Sequence, residues 1–327
     1  MHNQVIIILS VSWAVVAATD GTSQTVGTQS VPDFSGVWGH PSLPGFEPPA
    51  SGPGPVLNKV RVRTGPQSGR SAITQLVGDY NNPILKPQAA QAVKKFGEIE
   101  LSGGLSSPTP INQCWPAPPP LILLNTEMQM LQQPHQITIL YVSYEVRRVR
   151  MNEPHPARVT PSWYGDSVGH YDGDTLVIDT VGIKTDRPLA MVDLFGTPYT
   201  EALHVVERYR LIDYEAAKEG LERDAKENFQ LDVGWIDRSY KGKHLQLQFT
   251  VEDEGVFTIP WSATITYRPD SNKWPEMICA ENPHWYYAGK DALVPRADKL
   301  VHRFQSSNHI RRLDRVCKTM CGRPGPD

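Results

Sequence analysis

The sequence predicts a mainly β protein built on one antiparallel β-barrel, with a long irregular proline-rich insertion near its N-terminus and a few short helices. Proline accounts for 29 of the 327 residues, nearly twice its usual share of about 5%, and so much proline argues against a helical bundle. Several runs of β-branched and aromatic residues follow one another in the second half of the chain. Short turn signals such as Asp172-Gly173 separate these runs, as in β-hairpins.

The first 18 residues have the pattern of a cleaved signal peptide. Residues 5–16 are an apolar run of 12 residues, which is shorter than the about 20 needed to span a bilayer. Val16 and Ala18 place small residues before a cleavage site after Ala18. We therefore expect a secreted or periplasmic protein with a flexible leader at residues 19–31. An uncleaved anchor or a short buried segment is the alternative.

The cysteines fit the same compartment. An even number of cysteines in an exported chain permits disulfide bonds, and the sequence has Cys114, Cys279, Cys317 and Cys321. We favour the pairs Cys317–Cys321 and Cys114–Cys279. A metal site at the Cys-x-x-x-Cys segment is the alternative, but no histidine or second cysteine pair lies beside it.

A single barrel-like domain is predicted over residues 32–285. Residues 32–38 form its first strand, and residues 40–127 form the irregular insertion, which is dense in proline, glycine and serine. Within the insertion, residues 86–101 predict a helix because apolar residues recur at helical spacing after Pro87. Residues 286–327 form a basic C-terminal tail.

The remaining strands are predicted from residue 128 onward. Alternation and turn signals place strands or hairpin arms at residues 136–151, 167–171, 174–181, 203–212, 229–239, 244–251 and 261–268. The charged segment 213–226 is a loop or a short helix. A succession of antiparallel strands with short turns indicates a closed or nearly closed barrel, or a sandwich.

Two carboxylates stand on apolar strand faces, Asp179 and Glu207. Burying a carboxylate is costly unless it is paired or hydrogen-bonded. One interpretation is a cavity in which both carboxylates and Arg147 or Arg148 face a ligand. The other is a buried ion-pair network that fixes the strand register, or an outward face assigned wrongly.

Residues 164–180 (YGDSVGHYDGDTLVIDT) and 203–209 (LHVVERY) resemble a large group of exported bacterial β-rich proteins whose biochemical function is mostly undefined. The resemblance extends over most of residues 32–285. It implies export and a β-rich fold, and it implies no reaction.

The segment Ser35-Gly36-Val37-Trp38, followed by hairpins, is similar to the pattern that opens the first barrel strand of calycins such as lipocalins. This similarity implies a calycin- or lipocalin-like barrel. The insertion at residues 40–127, directly after that strand, departs from the lipocalin pattern.

Composition and motifs exclude several functions. Lys and Arg number 32 against 35 Asp and Glu, a net charge of −3, so no basic excess favours nucleic acid. The Gly165-x-Ser167-x-Gly169 pattern of hydrolases precedes a hairpin here and not a helix. No His-x-His or His-Glu-x-x-His motif predicts a metal site, and no glycine-rich phosphate loop predicts a nucleotide or flavin cofactor.

The residues predict an exported, cofactor-independent enzyme that moves a proton on a small hydrophobic or aromatic molecule, as an isomerase, cyclase or lyase. The candidate base is Glu207 or Asp179, and the candidate acid is His170 or His204, whose ordinary pKa lies near neutrality. The candidate ligand-binding residues are Tyr144, Arg147, Arg148, Tyr164 and Trp261. The alternatives are a periplasmic carrier of such a molecule without turnover, and an envelope interaction module that uses the basic tail.

Overall fold

Nine strands close into one barrel in the order in which they occur along the chain. The computed structural model describes residues 31–41, 43, 45–59, 76–101, 108–143, 145–187, 189–227, 237, 239–270, 286–287 and 290–291. The elements are β1 (Gly36–Gly39), α1 (Pro87–Leu101), β2 (Glu127–Gln132), β3 (Gln136–Tyr141), β4 (Val146–Met151), β5 (Asp166–Asp172), β6 (Thr175–Val181), β7 (His204–Ile212), α2 (Tyr214–Glu227), β8 (His244–Glu252), β9 (Trp261–Pro269), β10 (Tyr286–Tyr287) and β11 (Lys290–Asp291). β9 pairs with β1 and completes the barrel, while β10 and β11 form a separate two-stranded sheet.

The predicted mainly β barrel is confirmed, and one pair of strands departs from the antiparallel rule. β4 and β5 run parallel, with Val149 opposite Ser167. Parallel neighbours need a connection of a dozen or more residues, and residues 152–165 provide it. This connection brings His155, Trp163 and Tyr164 to the barrel wall.

One predicted element differs in the structure, one alternative is decided, and one arm stays mostly a prediction. Residues 136–151, predicted as one long strand, form the hairpin of β3 and β4, and the chain reverses between Tyr141 and Val146. The segment 213–226, predicted as a loop or a short helix, is the helix α2. Most of the arm predicted at residues 229–239 lies outside the described residues, and β8 pairs instead with β7 and β9.

Side-chain alternation fills the barrel. Leu245, Leu247, Phe249 and Val251 of β8 point inward and are buried, as their spacing predicts. Pairs in register share a face, so Phe249 and its partner Glu207 both face the interior. The interior therefore contains a largely apolar core with a few charged groups inside it.

The proline-rich insertion packs against one end of the barrel. The amide of Lys86 donates to the carbonyl of Val256 over 2.9 Å, and the amide of Thr258 donates to the carbonyl of Ile84 over 2.8 Å. These bonds join the insertion to the β8–β9 loop. Val93 of α1 and Phe195 of the β6–β7 connection both lie against Gly78. The insertion thus forms part of the same hydrophobic core as the barrel.

The described helices include none with the length and apolar character needed to cross a bilayer. The predicted signal peptide and almost all of the predicted leader and basic tail lie outside the described residues. So do Cys279, Cys317 and Cys321, and the disulfide pairings stay predictions.

Candidate functional site

Arg147 and Glu207 form an ion pair inside the barrel. β4 directs Arg147 inward and β7 directs Glu207 inward, and the exposed fractions of their side chains are 1% and 0%. Arg147 Nη2 lies 2.7 Å from Glu207 Oε1, and Nη1 lies 3.2 Å from Oε2. Both oxygens of the carboxylate are therefore held by one guanidinium, which is the strong bidentate geometry for this pair.

Hydroxyl groups complete this interior network. Tyr209 donates to Glu207 Oε2 over 2.6 Å, and Arg147 donates to the hydroxyls of Tyr141, Ser167 and Thr180 over 3.1, 3.3 and 3.2 Å. Burial alone would lower the pKa of Arg147, but the charge and hydrogen bonds of Glu207 together with Tyr141 and Tyr209 outweigh burial and hold that pKa well above its usual range. The network is thus a polar cluster within an apolar core in which both ends of the guanidinium and both carboxylate oxygens are hydrogen-bonded, while Arg147 Nε has no partner among the described residues.

A second cluster lies on the outer face of the barrel, where Asp179 stands between two histidines. His204 Nε2 lies 3.1 Å from both oxygens of Asp179, and His155 Nε2 lies 3.0 Å from Oδ1. His155 Nδ1 lies 2.7 Å from Asp166. The hydrogen bond from His204 lowers the pKa of Asp179, and the same bond raises the pKa of His204. All four side chains are partly exposed.

A third cluster lies at the end of the barrel where β3 ends and β4 begins, and we call it the mouth cluster. Its members come from the segments before β2, between β3 and β4, before β5, and between β6 and β7, and they are Trp115, Glu145, Trp163, Tyr164, Arg187 and Tyr199. The rings of Trp115 and Trp163 meet edge to face, with centroids 6.0 Å apart. Both rings are half-buried, so solvent reaches this cluster.

Glu145 is the carboxylate of the mouth cluster. Its Oε1 accepts a hydrogen bond from the amide of Ala117 over 2.5 Å. Its Oε2 accepts from Ser143 Oγ over 2.5 Å and from Asn125 Nδ2 over 3.2 Å. Burial raises the pKa of Glu145, and these three donors and the charge of Arg187 offset only part of that effect. A raised pKa makes a carboxylate a stronger base than an ordinary glutamate.

Arg187 is the buried cation of the mouth cluster. Its Nη2 donates to the carbonyl of Pro116, and its Cζ lies 4.5 Å from the ring centroid of Trp163. Burial lowers the pKa of Arg187, against the stabilising effects of Tyr199 and Glu145. Burial also raises the pKa of Tyr199, to about 12.

The structure brings the sequence-predicted residues together in pairs. Glu207 joins Arg147 in the interior, and Asp179 joins His204 on the outer face. His170 and Arg148 are exposed on the outer faces of β5 and β4. The interior and outer clusters are thus separate, because the sheet divides them.

The remaining predicted ligand-binding residues lie apart. Tyr164 belongs to the mouth cluster. Trp261 is buried at the start of β9 against Phe249 and Phe257. Tyr144 lies outside the described residues.

Sequence reasoning did not single out Glu145, Arg187 or His155. Glu145 lies between β3 and β4, where the prediction of one long strand over residues 136–151 hid the reversal of the chain. Arg187 and His155 lie in irregular connections, where no strand alternation shows the direction of a side chain. Within the described part of the chain, no group of three or more His, Cys, Asp or Glu side chains is arranged to hold a metal ion.

Comparisons of the chain with protein-family models, with curated proteins and with solved structures find no match. The resemblance of residues 164–180 and 203–209 to exported bacterial proteins stays a prediction. Function is therefore argued from the side chains.

Proposed function

We propose that this protein is an exported enzyme that moves a proton on a small hydrophobic or aromatic molecule at the mouth cluster, as an isomerase, cyclase or lyase. The observation that carries the proposal is Glu145, a largely buried carboxyl group with a raised pKa beside aromatic side chains. Aromatic walls with a few polar groups are typical of small-molecule sites. Proton transfer by a carboxyl group requires no cofactor.

Glu145 suits the role of base better than Glu207. Glu207 is fully buried, and its oxygens are held by Arg147 and Tyr209. With both oxygens occupied and no exposed surface, Glu207 is closed to a substrate. Glu145 has no such bidentate partner among the described residues, and it lies in a turn at the open end of the barrel.

Tyr164 is the candidate hydrogen-bond donor beside this base. It is half-buried, and burial, followed by the charge of Glu145, raises its pKa. The hydroxyl therefore stays protonated at neutral pH and is able to donate a hydrogen bond to an oxygen of the substrate. A base next to a hydrogen-bond donor suits removal of a proton beside a polarised oxygen, with Glu145 taking that proton and returning it.

Hydrogen–deuterium exchange tests this proposal. The full-length chain is incubated in D2O with a panel of small enolisable aromatic ketones, and loss of carbon-bound hydrogen is followed by NMR. The wild-type protein should accelerate exchange in at least one compound. Glu145→Gln should reduce that acceleration by about 10²- to 10⁴-fold, the usual contribution of a general base.

The matched control is Glu98→Gln, on the exposed face of α1, which should exchange like the wild-type protein. Wild-type rates in Glu145→Gln would contradict the role of Glu145. If the wild-type protein binds compounds of the panel but accelerates deuterium exchange in none of them, the proposed enzymatic function is contradicted.

The second candidate is a carrier of the same kind of molecule, without turnover. The buried cation Arg187 beside two half-buried tryptophans favours binding whether or not a reaction follows. Native mass spectrometry of the purified protein should then show a retained small molecule. A spectrum of ligand-free protein alone would count against the carrier.

A further inference from the structure

Arg187 has hydrogen-bond donors without acceptors. Its side chain is 9% exposed. A guanidinium carries five N–H donors. Tyr199 is a hydrogen-bonding neighbour of this guanidinium and Nη2 donates to Pro116, but Nε and Nη1 have no partner within hydrogen-bond distance among the described residues. One N–H on Nε and two on Nη1 are therefore open at a site almost closed to water.

The charge of Arg187 is also poorly compensated. Glu145 is the carboxylate that stabilises it, but both oxygens of Glu145 already accept hydrogen bonds from Ala117, Ser143 and Asn125. Lys184 adds a second positive charge, with its Nζ 5.6 Å from the Trp163 centroid. A buried cation without a full counter-ion is costly, so the site lacks an anion.

The surroundings indicate what kind of anion fits. Guanidinium and carboxylate are planar groups whose donors and acceptors match. Arg187 and Lys184 beside the carboxylate of Glu145 leave one net positive charge, which favours a singly charged group over a phosphate dianion. Trp115 and Trp163 offer half-buried aromatic surface at the same place, which suits a planar ring.

We propose that Arg187 binds the carboxylate of a small aromatic acid whose ring packs against Trp115 and Trp163. This inference rests on the proposed function, since it names the substrate class of the same mouth cluster. Arg187 supplies the anchor, and Glu145 remains the group that exchanges a proton.

The test compares 2-naphthoate with its neutral analogue 2-naphthamide by calorimetric titration of the full-length protein. The wild-type protein should bind 2-naphthoate at least about tenfold more tightly, because only the acid pairs with the guanidinium. Arg187→Met should bind both compounds equally weakly. Arg187→Lys should keep part of the preference, since it keeps the charge but loses the planar fork.

Arg158→Met is the matched control, because Arg158 is exposed in the connection that also carries Trp163. It should bind like the wild-type protein. Without ligand, Arg187→Met should melt no lower than the wild-type protein, since it removes a poorly compensated buried charge. A structural arginine would instead lower the melting temperature when replaced.

Three results would overturn the proposal: equal or absent binding of both compounds by the wild-type protein, an unchanged preference in Arg187→Met, or a lower melting temperature of ligand-free Arg187→Met. Glu145→Gln separates this inference from the proposed function. It should still bind 2-naphthoate through Arg187 even where deuterium exchange is lost. If the wild-type protein binds 2-naphthoate but accelerates no deuterium exchange, the proposed enzymatic function is contradicted and the proposed carboxylate site is supported.

Discussion

Arg147 and Glu207 illustrate how one residue pair defines the barrel interior. Both side chains are almost fully buried, and each is needed to compensate the other. Replacing a buried ion pair by apolar residues is often tolerated, whereas removing one partner leaves a buried charge unpaired and costs about 3–5 kcal/mol. We therefore assign this pair to stability and strand register.

Glu207→Gln should lower the free energy of unfolding by about 3–5 kcal/mol, because Arg147 would keep its charge without a counter-ion. Urea unfolding at pH 7 measures this difference. The double variant Arg147→Met/Glu207→Leu should lose less than the single variant, and Glu98→Gln on the exposed face of α1 should change little. A stable Glu207→Gln protein with lost turnover would instead favour catalysis by Glu207.

The pair of Asp179 and His204 makes a pH-dependent contribution on the outer face. The pKa of Asp179 is lowered from 3.8 in the folded state, so its contribution is present above pH 3.8 and is lost as the pH falls through the folded pKa. The pKa of His204 is raised from 6.5, so its contribution is present below pH 6.5 and is lost as the pH rises through the folded pKa. The pair stabilises the protein most between these two values.

His204→Asn should therefore destabilise the protein most near pH 5 and progressively less above pH 6.5, as the imidazolium of the wild-type protein loses its proton. Denaturant unfolding at several pH values measures the difference between wild type and variant. His170→Asn is the control, since His170 is exposed on β5. A difference that is the same at pH 5 and pH 9 would show that the ion pair does not cause it.

At the scale of the element, alternation of apolar and polar residues predicts a strand correctly where one face is exposed to solvent and the other is buried. β8 is the clear case, because four apolar residues alternate with polar ones and all four are buried. α1 is predicted for a similar reason, since Ala90, Val93, Phe96 and Ile99 recur at helical spacing, and in the structure Val93 is buried and the other three are half-buried. In both elements the local pattern and the packing agree, so single-sequence reasoning is sufficient.

The hairpin of β3 and β4 was missed because its turn is fixed by distant contacts. The turn at residues 142–145 contains no glycine, proline or asparagine to signal a reversal. Glu145 holds it in place by accepting hydrogen bonds from Ser143 within the turn and from Ala117 and Asn125 outside it. The same hydrogen bonds of Glu145 therefore hold the turn and form part of the mouth cluster. Because they join residues far apart in the chain, the spacing of residues in the sequence predicts neither feature.

At the scale of the whole molecule, the insertion and the barrel form one cooperative unit. Phe195, from the β6–β7 connection, lies in the same hydrophobic core as Val93 of the insertion and Phe249 of the barrel. Two backbone segments pack directly on Phe195: Gly45 lies against the far edge of its ring, and Gly78 lies against its Cβ. The segments of the mouth cluster therefore depend on the core beneath them.

Phe195→Ala should lower the free energy of unfolding by about 3–5 kcal/mol, the usual cost of removing a buried phenylalanine. Tryptophan fluorescence and far-ultraviolet circular dichroism should report one shared transition, because the insertion and the barrel share that core. Leu101→Ala, which removes an exposed side chain at the end of α1, should leave the midpoint almost unchanged. Two separate transitions would show that the insertion and the barrel do not unfold as one cooperative unit.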